Sequence, residues 1–145
     1  MVPIRRRRDT APMSQENVDT VARVYEGWER GDFTASVSLL EGNVTLVIDP
    51  GIPDGGGVFV GREGVRTYMT RFLAAWDSLT IAAESLKDVG DTVLVKVKQS
   101  GTGRGSGVPV DISFFQLWTF RGGNVIRLET ILREEDALDA VGLSE

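Results

Sequence analysis

The chain contains no cysteine and no histidine among its 145 residues. Without cysteine there is no disulfide framework, no thiolate nucleophile and no sulfur-ligated metal, which fits a reducing compartment. Without histidine the usual general base near neutral pH is missing, as are the commonest metal ligand and every Ser–His or Cys–His nucleophile pair. Any chemistry falls to carboxylates, amides, hydroxyls or tyrosine. Long apolar runs are missing too: no stretch approaches the roughly 18 residues that a membrane span needs. No apolar segment follows the arginines of MVPIRRRRDTAPM. A secretory leader is therefore not expected, and a cytoplasmic protein without membrane contact is.

Positive charge is scarce outside the run Arg5 to Arg8. The chain has 16 Lys and Arg against 21 Asp and Glu. Setting aside those four arginines and Asp9 leaves 12 basic and 20 acidic residues over positions 14–145, a balance of −8. A body of that charge repels nucleic acid. Residues 1–13 are expected to form a flexible basic arm. Residues 14–145 are expected to form a single domain, large enough to bury about two thirds of the surface its unfolded chain exposes.

Apolar spacing divides the chain into helices first and strands afterwards. Ser14 reads as an N-cap, and Val18, Val21, Ala22, Tyr25 and Trp28 recur at three- and four-residue intervals, predicting a helix near residues 15–30. Asp32 is expected to cap a second, shorter helix with Phe33, Val37 and Leu40 on one face. A strand over 44–49, the loop GIPDGGG and a short return strand over 58–60 follow. A third helix from Arg62 would turn Val65, Tyr68, Met69, Phe72 and Trp76 inward. Four β-rich runs then cover 79–87, 92–99, 110–121 and 124–132, joined by glycine-bearing connections that imply antiparallel hairpins. Glu134, Glu135 and Asp136 open a terminal helix, where acids suit the positive helix end. The expected fold class is α+β: a mostly antiparallel sheet, with three helices from the N-terminal half across its concave face. If strongly curved, such a sheet makes a cone that encloses a pocket.

Few residues carry candidate chemistry. The glycines of SGTGRGSGVP precede neither GK[ST] nor a helix, so they read as a hairpin tip rather than a phosphate cradle. The acidic trio at 134–136 is explained by a helix start, and neither a metal nor a cofactor is expected. Tyr25, Trp28, Tyr68, Phe72, Trp76, Phe114 and Trp118 suit an ordinary core and the walls of an apolar ligand cavity equally. In ISFFQLWTF, alternation puts Ile112, Phe114, Gln116, Trp118 and Phe120 on one face, with Gln116 the single amide in that row. It is either a core-edge residue bonded to its neighbours or a donor aimed into the cavity. On the last strand Ile126, Leu128, Thr130 and Leu132 form the matching inner row. That leaves Arg127 and Glu129 outside unless a bulge swaps the rows. Asp49, in TLVIDPG, either starts a turn or, held in a poorly hydrated hollow, is a base.

The phrases VARVYEGWERGDFTASVSLL, GREGVRTYM, FFQLWTFRGGNVIRL and REEDALDAVGL resemble the SnoaL-like branch of the nuclear transport factor 2-like superfamily, which is related to ketosteroid isomerases and polyketide cyclases. The similarity runs from Glu16 to Leu143. It implies a cystatin-like cone and a homodimer formed through the outer face of the sheet, where Phe115, Leu117 and Ile131 would leave an apolar stripe wet in a monomer. Asp49 before Pro50 matches the Asp-Pro of the isomerases, whose Asp is the general base. Gln116 falls where they place a protonated Asp, and where many SnoaL-like members carry His. The isomerases' first-helix Tyr aligns with Val24, with Tyr25 about 100° further round the helix. The cyclases' last-strand acid aligns with Thr130, so their acid/base pair is absent.

The resemblance implies a cofactor-independent isomerase or cyclase-like lyase acting on a small apolar carbonyl compound, with Asp49 as base and Gln116 as electrophilic donor. The alternative is a non-catalytic small-molecule-binding or dimerisation domain. A third reading, an epoxide hydrolase, would draw on Asp49, Asp111 and Arg127.

Overall fold

The computed structural model describes residues 2–34, 36–52 and 56–143, with side chains from Ser14 onward. Helix α1 spans Val2–Glu29 and turns Val21, Val24, Tyr25 and Trp28 into the core. It begins well before the expected cap: the backbone of residues 2–13, read from sequence as a flexible arm, continues the helix. Arginine and alanine are good helix formers and Pro3 sits in the first turn, where its missing N–H costs nothing, whereas Pro12 lies inside the helix and removes one backbone hydrogen bond. Ser14 therefore lies mid-helix, and its hydroxyl donates instead to the Gly90 carbonyl at 3.3 Å.

The second predicted helix is reduced to a single 3-10 turn, Val37–Leu39, before strand β1, Leu40–Ile48. Asp32 caps no helix. Its carboxylate accepts from the Thr34 hydroxyl at 2.7 Å and the Thr34 N–H at 3.1 Å. Leu40 pairs with Val125 across the sheet, so ladder bonds and the β-branched residues that follow draw this segment into a strand. The N-terminal half thus supplies two helices and one 3-10 turn rather than three helices.

Strand β2 (Gly57–Val60) leads into helix α2 (Gly61–Ala74). Strands β3 (Trp76–Val89), β4 (Thr92–Gly103), β5 (Pro109–Arg121) and β6 (Asn124–Ile131) then form a meander, closed by helix α3, Glu134–Ala140. Trp76, placed by its spacing on α2, is the first residue of β3. The sheet order is β2-β1-β6-β5-β4-β3, with β1 parallel to β6 and every other pair antiparallel.

Register breaks in β1, in β3 and between β5 and β6 bend the sheet. At the β3 break Gly101 is required, because a Cβ there would lie 2.1 Å from the Ser78 carbonyl oxygen. The glycine-rich tip between β4 and β5 is a hairpin, tied to the α2–β3 junction by Arg104 N–H donating to Ala75 O at 2.8 Å.

Helices α1 and α2 cover the concave face, and one continuous core joins them to β1 and β3–β6. On the convex face α3 closes a separate cluster of Leu94, Phe115, Leu117, Ile131 and Ala137. The stripe of Phe115, Leu117 and Ile131, expected to be wet in a monomer, is at most 8% exposed. The sequence-based argument for a dimer through that stripe therefore falls, because the chain's own last helix does the covering. Among the described residues no helix is long and apolar enough to cross a membrane, and no three acidic residues gather to hold a metal ion.

Candidate functional site

A cavity of about 370 Å³ lies between the concave sheet and α2, within the range of small-molecule sites. Leu46 and Ile48 of β1, Phe114 and Trp118 of β5 and Leu128 of β6 form much of its apolar floor. Exposed residues at its edge, Thr34, Arg62, Arg66 and Thr70, mark the mouth between the segment after α1 and the outer turns of α2. Arg62 Nε and Nη2 donate to the Leu40 carbonyl at 3.0 and 2.7 Å, and Arg66 pairs with Glu63 at 2.7 Å. Among the described residues, the only charged side chains in the cavity wall are these two arginines.

A polar relay crosses the floor. Trp118 Nε1 donates to the Tyr25 hydroxyl at 3.0 Å, Tyr25 donates in turn to Gln116 Oε1, and Gln116 Nε2 donates to Thr130 Oγ1 at 3.1 Å. The indole nitrogen can only donate, so it fills an acceptor site on the Tyr25 oxygen and leaves the phenol hydrogen to the Gln116 carbonyl. Tyr25 is buried, and burial raises its phenol far above the ordinary 10.0, so it stays protonated and hands its hydrogen on. That orients the Gln116 amide, with oxygen toward Tyr25 and nitrogen toward Thr130 and the cavity.

The structure places six of the predicted wall residues on the cavity: Trp28, Tyr68, Phe72, Phe114, Trp118 and Thr130, with Gln116 beside them. Tyr25 stands behind the wall and acts through Gln116. Trp76 lies beyond the cavity against Phe72, ring centroids 6.0 Å apart. Leu132 follows the end of β6, with its side chain against Gly51. The predicted inner row of β6 also shifts: the break opposite Thr119 and Phe120 sends Val125 into the core, while Leu128 and Thr130 keep their inward parity.

Asp49 is not brought to the cavity. Its Oδ1 accepts the Gly51 N–H at 2.8 Å, and its Oδ2 accepts the Leu132 N–H at 3.0 Å. The reason is parity: Leu46 and Ile48 point inward, so the next residue turns the other way. The carboxylate closes the turn at Pro50 and clamps the end of β1 to the chain leaving β6. The epoxide-hydrolase set does not assemble either. Arg127 and Glu129 face each other at 3.5 Å on the convex side, and Asp111 is exposed.

Gln99 on β4 escaped the sequence reading. Only 3% exposed, it lines the cavity, and its amide makes no hydrogen bond among the described residues. The available signal was an inner row of Val93, Val95 and Val97 that ends in an amide.

A SnoaL-like domain profile matches residues 21–128. The chain belongs to the SnoaL-like domain family. Solved structures share the fold of this SnoaL-like chain at low identity. A putative SnoaL-like polyketide cyclase from Jannaschia sp. CCS1 is 20% identical, with TM-score 0.70, over 90% of this chain and 94% of the other. TerC, co-crystallised with polyporic acid, is 20% identical, with TM-score 0.69, over 88% and 98%. A protein with a ketosteroid isomerase-like fold from Catenulispora acidiphila DSM 44928, in complex with trimethylamine, is 19% identical, with TM-score 0.63, over 88% and 92%. No match was found among curated proteins.

Proposed function

We propose that this SnoaL-like domain binds a small, largely apolar molecule in the cavity between α2 and the concave sheet. One observation carries the reading: a hollow of about 370 Å³ with a mostly apolar wall, into which an oriented amide and hydroxyl, Gln116 and Thr130, are built. A hollow of this size in the protein forgoes packing contacts that a close-packed interior would make. Its persistence in a chain of this length is better explained by a guest than by folding.

The catalytic reading, an isomerase or cyclase-like lyase with Asp49 as base, has less support. Proton abstraction needs a base within hydrogen-bond reach of the substrate. The Asp49 carboxylate already holds two backbone N–H groups outside the cavity, and no Asp or Glu lines the wall among the described residues. The family resemblance supplies the fold for such chemistry; the wall favours binding.

Titration with butyrophenone, followed by the emission of Trp28 and Trp118, tests the proposal. A saturable change is expected in the wild type and not in Met69→Trp, whose larger side chain fills the cavity from α2. Saturation by both proteins alike, or by neither, would overturn it.

A further inference from the structure

The cavity wall holds polar groups whose hydrogen-bonding capacity is not all spent among the described residues, and they fall in two separate places. At one, the relay ends on Thr130, whose oxygen accepts from Gln116 while its own hydroxyl hydrogen has no acceptor among the described residues. Gln116 spends one amide hydrogen on Thr130 and keeps a second. At the other stands Gln99, 3% exposed as a residue, whose amide has no hydrogen-bond partner among the described residues and opens on the cavity. Trp28, part of the same wall, has a buried indole N–H with no acceptor among the described residues.

The sheet register separates the two places. Gln116 pairs with Val95, whereas Gln99 lies four residues further along β4 opposite Ile112, which is roughly 13 Å of strand. Phe114 and Val97 pair across the apolar stretch between them. At the mouth stand Arg62, with no carboxylate partner among the described residues, and Arg66, which is paired with Glu63.

Resting on the binding reading above, we propose that Gln99 is a ligand anchor and that the cavity takes an apolar keto acid. Its two acceptor groups are held apart, one at Gln99 and the other at the Thr130–Gln116 pair, and the arginines at the mouth favour an anion. An amide that no protein group pairs adds nothing to the fold that a leucine would not, and this one opens on the cavity, so Gln99 is accounted for by a group that arrives from outside. Acceptor-bearing guests suit the amide hydrogens of Gln99 and Gln116 and the Thr130 hydroxyl, while an ammonium is repelled by Arg62 at the mouth.

Four compounds on one skeleton separate the terms: benzoylpropionate with both acceptor groups, phenylbutyrate with the carboxylate alone, butyrophenone with the ketone alone, and phenylbutylamine as the cation. Calorimetric titration of the wild type should give benzoylpropionate about tenfold tighter than either single-acceptor compound, the worth of one well-made hydrogen bond in a poorly hydrated site. The amine should be weakest. In Gln99→Leu, and separately in Thr130→Val, benzoylpropionate should fall about tenfold, to the single-acceptor level. Gln99→Leu should also unfold at the same or a higher temperature than the wild type, which a residue placed for structure would not do. Equal affinity for the first three compounds, an amine that binds best, or unchanged affinity in Gln99→Leu would overturn the keto-acid assignment while leaving the binding reading intact. If none of the four binds, both fall.

Discussion

The two faces of strand β5 are built from adjacent residues and do opposite things. Phe115 and Leu117 point to the convex side, where α3 seals them with Ala137, itself fully buried. Phe114, Gln116 and Trp118 point to the concave side, where α2 arches over them and leaves a hollow. The convex face is a small, wholly apolar cluster held for stability. The concave face gives up packing at its centre, and the polar groups it keeps there are either joined in a relay or left unspent. Parity along one strand is enough to separate the part of the molecule that holds it together from the part that meets a ligand.

The comparison is most easily broken by substitutions that should act on one face alone. Trp118→Ala removes the largest fully buried side chain of the concave face and the first donor of the relay; it should cost about 4 kcal/mol in urea unfolding and abolish ligand binding. Phe115→Ala, on the same strand but on the other face, should cost about 3 kcal/mol by the same measurement with affinity unchanged. Coupled loss of affinity there would show that the faces are not independent.

Tyr25→Phe strands the Trp118 N–H and the Gln116 carbonyl and should cost about 2 kcal/mol near neutral pH. The sign of its pH dependence follows from the raised pKa. The folded protein keeps this phenol protonated where the unfolded chain ionises it, so its contribution is fully present below pH 10.0 and is lost as pH rises above that value. The gap between wild type and Tyr25→Phe should therefore narrow in alkaline unfolding experiments, and a widening gap would contradict the burial assigned to Tyr25.

Asp49→Asn sharpens the comparison from a third direction. If the carboxylate only closes a turn and clamps β1 to the chain after β6, stability should drop by about 1 kcal/mol while ligand affinity stays the same. Smallest of all is Glu63→Gln: the pair with Arg66 is exposed, and its loss should change stability by less than about 0.5 kcal/mol.

Much of this division was legible in the sequence, and the exceptions have local causes. The alternation in ISFFQLWTF placed Gln116 on the concave face correctly, because a strand covered on both sides has no freedom to slip register. The same rule, applied to TLVIDPG, puts Leu46 and Ile48 inside and Asp49 outside. Its match to the isomerase Asp-Pro pointed the other way, and the pleat prevails. Tyr25 was expected a hundred degrees from the useful direction, yet a long side chain at a fully buried helix position reaches Gln116 anyway. Gln99 closes the alternating row of Val93, Val95 and Val97, the same kind of signal that marked Gln116, but that it has no partner among the described residues is a tertiary fact the sequence does not carry. The second helix failed where a short amphipathic pattern from Phe33 to Leu40 competed with the pairing of Leu40 to the distant Val125, which local spacing cannot register.

The most direct measurement is a two-dimensional NMR titration of the uniformly labelled protein with benzoylpropionate, following side-chain amide signals. The account predicts saturable shifts in the Gln99 and Gln116 side-chain amides and in the indole N–H of Trp28, with the backbone of Leu117 and Ala137 on the convex face unmoved. Shifts that cluster on the convex face, or a Gln99 amide that stays still while others saturate, would contradict it.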